Sequence, residues 1–198
     1  MIIKNTPLLE TENLILRRFE RSDLDSVFLI YSNKEANKFL PWFPVNNISE
    51  AELILNNNYL NNYKNEIGYD YAICLKENNV PIGYIKISMN ESYDLGYGLL
   101  QKYWNKGIIS EAVKAVIKQA KNDRIPYLTA THDINNPSSG AVMIKNGMKY
   151  KYSYEEQWQP KNFKVTFRMY QINLLVDDDF VYKKYWDNAK VKMIEKVL

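Results

Sequence analysis

Apolar and polar residues recur along the chain with two different periods, and each period predicts one type of element. From Ile109 to Ala120 apolar residues recur at i, i+3 and i+4, with Glu111 and several lysines on the opposite side. This spacing predicts an amphipathic helix that begins after Lys106. Stretches typical of strands lie at residues 14–19, 69–75, 81–89, 93–100, 127–133, 149–158 and 163–172.

Capping residues and helical spacing predict four more helices, at residues 22–31, 49–61, 137–146 and 177–198. Asn136 followed by Pro137 is a typical helix start, and Gly147 is a typical helix stop. Three consecutive aspartates favour a helix start for the tail, and the apolar spacing after them is amphipathic.

The order of these elements predicts one α/β domain over residues 1–175. Hairpins and crossovers are mixed, so we expect a central mixed, mostly antiparallel sheet of six to seven strands with helices on both faces. We expect the amphipathic helix at residues 176–198 to pack on this domain or on a partner subunit. The protein is then either a monomer or a homodimer.

Composition narrows the classes of function without choosing one. The chain of 198 residues is 46% hydrophobic and 25% charged, which is typical of a globular protein with one core. No apolar run reaches the roughly 18 residues that a membrane span needs, and the first residues do not resemble a signal peptide. We therefore expect a cytoplasmic protein with no membrane partner.

Residue usage also disfavours metal and nucleic-acid functions. A single cysteine, Cys74, excludes an internal disulfide. Together with a single histidine, His132, it leaves no Cys/His set for a zinc site, so we expect no metal. The net charge is +3 and acidic residues are scattered among the lysines, so nucleic acid is not expected as the main partner.

Residues 97–112 combine a strand, a turn that contains Gly107, and the start of the amphipathic helix. The first backbone N–H groups of a helix have no partner within it, so such a turn forms an anion site. Gly107 lets the backbone approach a ligand closely. The same turn also occurs as a purely structural connection, and the pattern alone leaves both interpretations open.

The turn at residues 103–107 reads Tyr-Trp-Asn-Lys-Gly. It resembles the Tyr-Trp-Gly-Lys-Gly turn of bacterial ribosomal-protein-alanine N-acetyltransferases, a branch of the GNAT superfamily of acetyltransferases. Asn105 replaces the first glycine and still tolerates unusual backbone angles. Against the general pyrophosphate-binding pattern Arg/Gln-x-x-Gly-x-Gly/Ala, Gly107 matches, whereas Trp104 and Ile109 depart from it.

A second segment, residues 132–148, is similar to the same branch along its whole length. It matches the pattern His-Asp-x-x-Asn-Pro-x-Ser-Gly-x-Val-Met-x-Lys-x-Gly-Met. Residues 94–97, Asp-Leu-Gly-Tyr, fit the strand signature of the branch with Asp in place of the usual Glu, and residues 9–17 fit its opening. The resemblance thus covers residues 9 to about 173 and excludes the tail.

The resemblance implies that acetyl-CoA is the acetyl donor and lies where the fourth and fifth strands of the sheet splay apart. An opened strand pair agrees with this role because its unpaired amides need partners. Asn136 and Ser139 are implied to lie near the thioester, although a helix cap and a first-turn residue explain them equally well. The other implied contacts are Gly98, Leu99, Trp104, Asn105, Lys106, Gly107, Ile108, Ile109 and Ser110.

Three residues are candidates for proton transfer. His132 has an ordinary pKa suited to a general base near neutral pH, and a packed histidine at a strand end is the competing interpretation. The resemblance implies that Ser139 donates to the departing thiolate; the tyrosine that many other family members use would fall at Met143. Asp94 is a candidate to attract the amine or relay its proton, or else it is a solvated charge.

Trp42, Phe43 and Glu156 are the candidates for binding the acceptor. Glu156, or else Glu155, is also a candidate to attract the amine or relay its proton through water, although a solvated charge explains either carboxylate. The two aromatic residues lie in a loop where the resemblance places the acceptor wall, although the loop also suits a hydrophobic plug. Together these features predict direct acetyl transfer to a primary amine, with a protein N-terminus as one acceptor. The alternatives are a small-molecule amine of polyamine or aminoglycoside type, and a non-catalytic acyl-CoA-binding module.

Overall fold

Two antiparallel sheets form the centre of the computed structural model, which describes residues 4–196. The first sheet contains, in chain order, β1 (Leu9–Glu10), β2 (Leu14–Arg17), β3 (Tyr69–Leu75), β4 (Pro81–Ile87) and β5 (Leu95–Leu99). The second sheet has the order β6-β8-β7-β9 and contains β6 (Tyr127–Asp133), β7 (Lys149–Trp158), β8 (Phe163–Asn173) and β9 (Lys192–Met193).

The helices connect and cover these sheets. They are α1 (Leu24–Ser32), α2 (Ile48–Ile54), α3 (Ile108–Asn122), α4 (Pro137–Lys145) and α5 (Lys184–Asn188). The α2 helix continues as a π-helical segment, Leu55–Leu60, and short 3-10 turns lie at Arg21–Asp23, Asn62–Lys64 and Gln101–Tyr103. Within residues 4–196, every helix is too short or too polar to span a bilayer.

Three apolar clusters hold the layers together. The largest packs α3 and α4 against both sheets, with Leu128 and Met143 among its buried members. The second packs α1 and α2 on the other face of the first sheet, around Tyr31 and Tyr59. The third covers the remaining face of the second sheet with tail residues that include Tyr185. Helices therefore lie on both faces, as predicted.

Among the described residues, backbone pairing joins the two sheets at one place, the parallel bridge between Asp94 and Thr129. Beside it, the Thr129 amide donates to the carbonyl oxygen of Tyr93 at 3.3 Å. Beyond this bridge β5 and β6 belong to different sheets and do not form a ladder. These are the fourth and fifth of the strands predicted from the sequence, so the predicted splay is confirmed.

The strand count and one helix differ from the sequence prediction. Residues 4–196 contain nine strands rather than six or seven, because two-residue strands extend one sheet at β1 and the other at β9. The predicted helix at 49–61 starts one residue earlier, at Ile48, because Asn47 is the N-cap and accepts from the Glu50 amide at 3.0 Å. Its second half is π-helical rather than α-helical.

The tail is not the long helix that its spacing predicted. It forms the five-residue helix α5 and then β9, which pairs with β7; residues 197 and 198 lie outside the described residues. The physical reason is the free edge of β7, where the Glu155 amide donates to the carbonyl oxygen of Val191 at 2.9 Å. Pairing with this edge replaces hydrogen bonds that a helix would have made internally.

His132 packs between β6 and α4. It shares the core-facing side of β6 with Leu128 and Ala130 and is 4% exposed. One ring edge meets α4 at Gly140, where an added Cβ would lie 2.5 Å from His132 Nε2. The histidine ring, and not the helix backbone, therefore requires glycine at this position.

Gly140→Ala should destabilise the protein, the reverse of the usual effect of this change in a helix. Alanine normally stabilises a helix interior by about 0.5–1 kcal/mol relative to glycine, whereas overpacking a core costs about 1–3 kcal/mol. We expect a lower urea denaturation midpoint. Gly96→Ala is the control, because its Cβ would meet only Lys86 atoms, at 3.8 Å or more. An unchanged midpoint for Gly140→Ala would contradict the close packing of His132.

Candidate active site

The start of α3 presents free backbone amides to the open end of the splay. The first backbone bond of the helix runs from the Glu111 amide to the carbonyl oxygen of Gly107 at 3.0 Å. The amides of Ile108, Ile109 and Ser110 precede it, and no side chain caps this helix. Uncapped amides at a helix N-terminus form a site for phosphate groups. The resemblance implied that these residues bind the pyrophosphate of the cofactor, and this role stays a prediction.

Backbone shape at this turn matches an approach by a ligand. Gly107 has a φ of +78°, and no atom lies within 4 Å of where its Cβ would be. Asn105 also adopts a left-handed conformation, with a φ of +60°. Lys106 and Lys102 flank the ring of Tyr103 at 5.6 and 5.0 Å from its centre. Two cations thus lie beside a turn that is open to solvent.

Trp104 ties this turn to the end of β5. Its indole Nε1 donates to the carbonyl oxygen of Leu99 at 2.8 Å, and 40% of the side chain is exposed. At the position where the general motif has Arg or Gln, this tryptophan therefore orients the loop through a strand carbonyl. Ser110 plays a comparable part farther on, since its hydroxyl accepts from Asn146 Nδ2 at 3.0 Å and links α3 to α4.

Two glycines of β5 leave its outer face without side chains. Strand alternation places Gly96 and Gly98 on the face toward α1 and α2, and both are partly exposed. An added Cβ at Gly98 would lie 2.6 Å from Cε1 of Tyr84. Glycine at this predicted cofactor contact is thus also required by packing against Tyr84.

Ser139 meets a residue that sequence reasoning did not select. The Tyr97 hydroxyl donates to the Ser139 carbonyl oxygen at 2.9 Å and lies 3.1 Å from the Ser139 hydroxyl. This contact spans the splay from β5 to α4, and burial raises the pKa of Tyr97 above its ordinary value. The Asp94–Tyr97 signature was the available signal, although it was used only to support the resemblance. Asn136 is the N-cap of α4 and accepts from the Ser138 hydroxyl at 2.8 Å.

Asp94 lies at the bridge where the splay begins. Its Oδ1 accepts from the Thr129 hydroxyl at 3.3 Å, and the residue is partly buried. Burial raises the pKa of Asp94 to about 6, although the hydrogen bond from Thr129 opposes the shift. The carboxylate shares the outer face of β5 with the two glycines. A carboxylate with this pKa is largely ionised at neutral pH and can accept a proton.

The environment of His132 supports the packing role that the sequence left open. Its Nδ1 lies 2.8 Å from the carbonyl oxygen of Asp133, so Nδ1 carries the proton and donates it there. Nε2 is buried against Gly140 without a hydrogen-bond partner among the described residues. Burial is the main cause that lowers the pKa of His132 and keeps the ring neutral. Its role as a base stays a prediction.

The candidate acceptor residues lie in two elements, with Trp42 and Phe43 in the α1–α2 loop and Glu156 in β7. Trp42 packs inward, with its indole donating to Asn37 Oδ1 at 3.0 Å, whereas Phe43 is 61% exposed. Glu156 lies on β7 opposite Val165, is exposed, and has a pKa raised by desolvation. The structure joins Ser139 to β5 through Tyr97. The described hydrogen bonds of the three acceptor candidates do not reach Tyr97 or Ser139.

The polar groups at the start of α3 and along the splay suit acetyl-CoA and do not suit a metal ion. Free helix amides, an open left-handed glycine and two separated strands match a pyrophosphate and an extended arm. Among residues 4–196, the histidine, cysteine and carboxylate side chains form no group of three or more that could hold a metal ion.

Comparison with known proteins finds a family match that spans these elements. Residues 13–149 match the family described as an acetyltransferase (GNAT) domain. The uncharacterized N-acetyltransferase YnaD of Bacillus subtilis (strain 168) is 28% identical over 143 residues, which are 70% of this chain and 81% of YnaD. The family match spans most of the elements that build the site, including β5, α3 and α4.

Solved structures show the same architecture. A GNAT-family acetyltransferase from Bacillus anthracis superposes with a TM-score of 0.73 at 25% identity, covering 84% of this chain and 98% of that one. A RimL ribosomal L7/L12 alpha-N-protein acetyltransferase in complex with coenzyme A gives a TM-score of 0.75 at 19% identity, covering 86% and 100%. The second likeness shows the shared fold. The predicted family and the predicted acetyl donor are thereby confirmed, and the chain belongs to the GNAT family as an acetyl-CoA-dependent N-acetyltransferase.

Proposed function

We propose that the enzyme acetylates the α-amino group of a peptide or protein N-terminus, with Asp94 accepting the proton that the amine loses. The observation that carries this proposal is the partly buried Asp94 carboxylate, whose pKa burial raises to about 6, at the point where β5 and β6 separate. When bound, acetyl-CoA supplies an activated acetyl group. The residues of this chain bind, orient and exchange protons around it.

Matching pKa values favour an α-amine over a lysine side chain. An α-amine has an ordinary pKa near 8 and a lysine near 10.4. Proton transfer to a carboxylate of pKa about 6 is therefore uphill by about two units for the former and about four for the latter. The structural neighbour RimL is named as an alpha-N-protein acetyltransferase, which is consistent with this choice.

Ser139 is the proposed donor to the departing sulfur, and Tyr97, whose hydroxyl donates to the Ser139 carbonyl oxygen, is the proposed positioning residue. Their hydroxyls lie 3.1 Å apart across the splay, and the raised pKa of Tyr97 keeps its proton in place at neutral pH. The amides of Ile108–Ser110 are the proposed pyrophosphate ligands. Orientation of the two reactants between these groups supplies much of the acceleration.

Acetyl-CoA should raise the melting temperature of the native protein, because a ligand at a hundredfold excess over Kd stabilises it by about 2.7 kcal/mol. Gly107→Val should abolish this shift, since a branched side chain fills the open space before the α3 amides. Gly147→Val is the matched control. It introduces the same backbone strain at a φ of +81°, just after the C-terminal end of α4. A shift retained in Gly107→Val would contradict the proposed pyrophosphate site.

Asp94→Asn should lower kcat by about 10²–10⁴ with little change in acetyl-CoA affinity, because the proton acceptor is lost. In the wild type, kcat/KM should fall below about pH 8 as the α-amine is protonated and fall more steeply below about 6, and this second limb should be absent in the variant. Steady-state kinetics from pH 5 to about 9 check both expectations. Asp178→Asn, which makes the same change at an exposed carboxylate of the tail, serves as the control. Loss of the limb in His132→Gln, and not in Asp94→Asn, would assign the base to His132.

The same substitution has an opposite effect on stability. Because the pKa of Asp94 is higher in the folded protein than its ordinary value near 3.9, folding takes up protons between these values and stability falls as pH rises. Asp94→Asn should therefore raise the melting temperature at pH 8 relative to the wild type, and less so near pH 4. A lower melting temperature at pH 8 would show that the carboxylate is structurally required.

Acceptor identity can be tested with three kinds of amine. One peptide has a free N-terminus and no lysine, a second has a blocked N-terminus and one lysine, and spermidine represents small amines. We expect acetyl-CoA consumption, detected as free thiol, mainly with the first, and a mass increase of one acetyl group at its N-terminus. Faster turnover of spermidine would instead assign the enzyme to small-molecule acceptors.

A further inference from the structure

A basic cavity lies where the α1–α2 loop meets the β7–β8 turn. Its volume is about 520 Å³. The loop supplies most of its wall and the turn supplies Lys161. Its lining residues are Lys34, Asn37, Lys38, Phe43, Pro44, Asn46 and Lys161. The cavity thus contains Phe43, one of the residues for which the sequence predicted contact with the acceptor.

The charge of this cavity is not compensated by the protein. Three of its lining residues are lysines and none is acidic. In the part of the chain that the structure describes, the five ion pairs leave Lys34, Lys38 and Lys161 without a carboxylate partner. Lys161 instead donates to the carbonyl oxygens of Asn37 at 3.0 Å and Lys38 at 3.4 Å. Burial lowers the pKa of Lys161, so an anion placed here would stabilise its charged form.

The loop wall is held in position by a buried amide. Asn37 is 2% exposed, and its Nδ2 donates to the carbonyl oxygens of Ile30 at 2.9 Å and Asn33 at 2.8 Å. Its Oδ1 accepts from the Trp42 indole at 3.0 Å. The carbonyl groups that receive Lys161 therefore belong to a rigid loop, and the cavity is formed before any ligand arrives.

A row of aromatic rings connects this wall to the splay. Trp42 lies 6.0 Å from Tyr31, and Tyr31 stacks on Tyr84 at 5.5 Å with 10° between the ring planes. The Tyr84 ring in turn fills the space before Gly98 of β5. The position of the cavity is thus fixed relative to β5, which borders the splay.

We infer that this cavity is a second acceptor subsite, which binds a carboxylate or phosphate group carried by the amine substrate. The inference rests on the proposed function, because the subsite would select among amines that the enzyme acetylates. Lys34, Lys38 and Lys161 supply the charge, and the exposed ring of Phe43 contacts the carbon skeleton next to the anion. Acidic peptide N-termini and small amines with an anionic group share this chemistry.

The experiment compares pairs of acceptors in which one member carries an anionic group and the other does not. One pair consists of peptides with free N-termini, in which aspartates after the first residue of one are asparagines in the other. The second pair is phosphoethanolamine and ethanolamine. We expect the anionic member of at least one pair to have a kcat/KM higher by about tenfold, and the pair that shows it identifies the source of the anion. The preference should shrink as salt is added.

Lysine variants assign the preference to the cavity. Lys34→Gln, Lys38→Gln and Lys161→Gln combined should equalise the two members of the pair. The control is Lys114→Gln, Lys118→Gln and Lys121→Gln, which removes the same charge from the exposed side of α3. If loss of Lys161 unfolds the loop, the double change at Lys34 and Lys38 keeps its bonds and should still reduce the preference.

Direct binding separates this inference from the proposed function. Isothermal titration of the anionic and neutral peptides into the coenzyme A-bound protein measures the subsite without turnover. Tighter binding of the anionic peptide, lost in the cavity variant and kept in the control, would support the subsite even if no acceptor were acetylated. Equal binding and equal kcat/KM within both pairs, or an equal loss in the two triple variants, would overturn it.

Discussion

The parallel bridge between Asp94 and Thr129 is the constraint on which the site depends. It holds two separately paired sheets together at one end, so β5 and β6 diverge toward the other end. Divergence leaves strand edges with unpaired backbone groups, and such groups need partners from a ligand. The same bridge places the Asp94 carboxylate beside the Thr129 hydroxyl in a partly buried position, and this burial raises the pKa of Asp94. One contact therefore creates the cleft and also fixes, at its apex, the carboxylate that we propose as the proton acceptor.

Ties across the open end keep the cleft in shape. Tyr97 reaches Ser139 from β5 to α4, and Ser110 accepts from Asn146 between α3 and α4. Trp104 anchors the turn before α3 to the last carbonyl of β5. These bonds use polar groups near the open end without capping the first amides of α3. A helix end left uncapped next to a braced cleft is suited to bind an anion without rearrangement.

Packing against neighbouring rings explains why several glycines of the matched segments are needed. Gly98 makes room for Tyr84, and Gly140 makes room for His132. Gly107 differs from both, since its Cβ position is open and its backbone is left-handed. The same residue type thus serves packing at two positions and leaves an open, left-handed backbone at a third. The sequence alone does not distinguish these roles, because it shows only a glycine at each of the three positions.

Local sequence determined the elements whose signals are short-ranged. The period of α3, the Asn136–Pro137 start and Gly147 stop of α4, and the strand–turn–helix around Gly107 all followed from neighbouring residues. Contacts between residues far apart in the chain were decided by the tertiary structure alone. The tail paired with the edge of β7 instead of forming a helix, because that edge offered backbone hydrogen bonds. The apolar spacing of the tail sequence did not reveal this partner. The burial that raises the pKa of Asp94 and lowers that of His132, and the meeting of Lys161 with the α1–α2 loop, likewise depend on desolvation and distance, which only the folded chain defines.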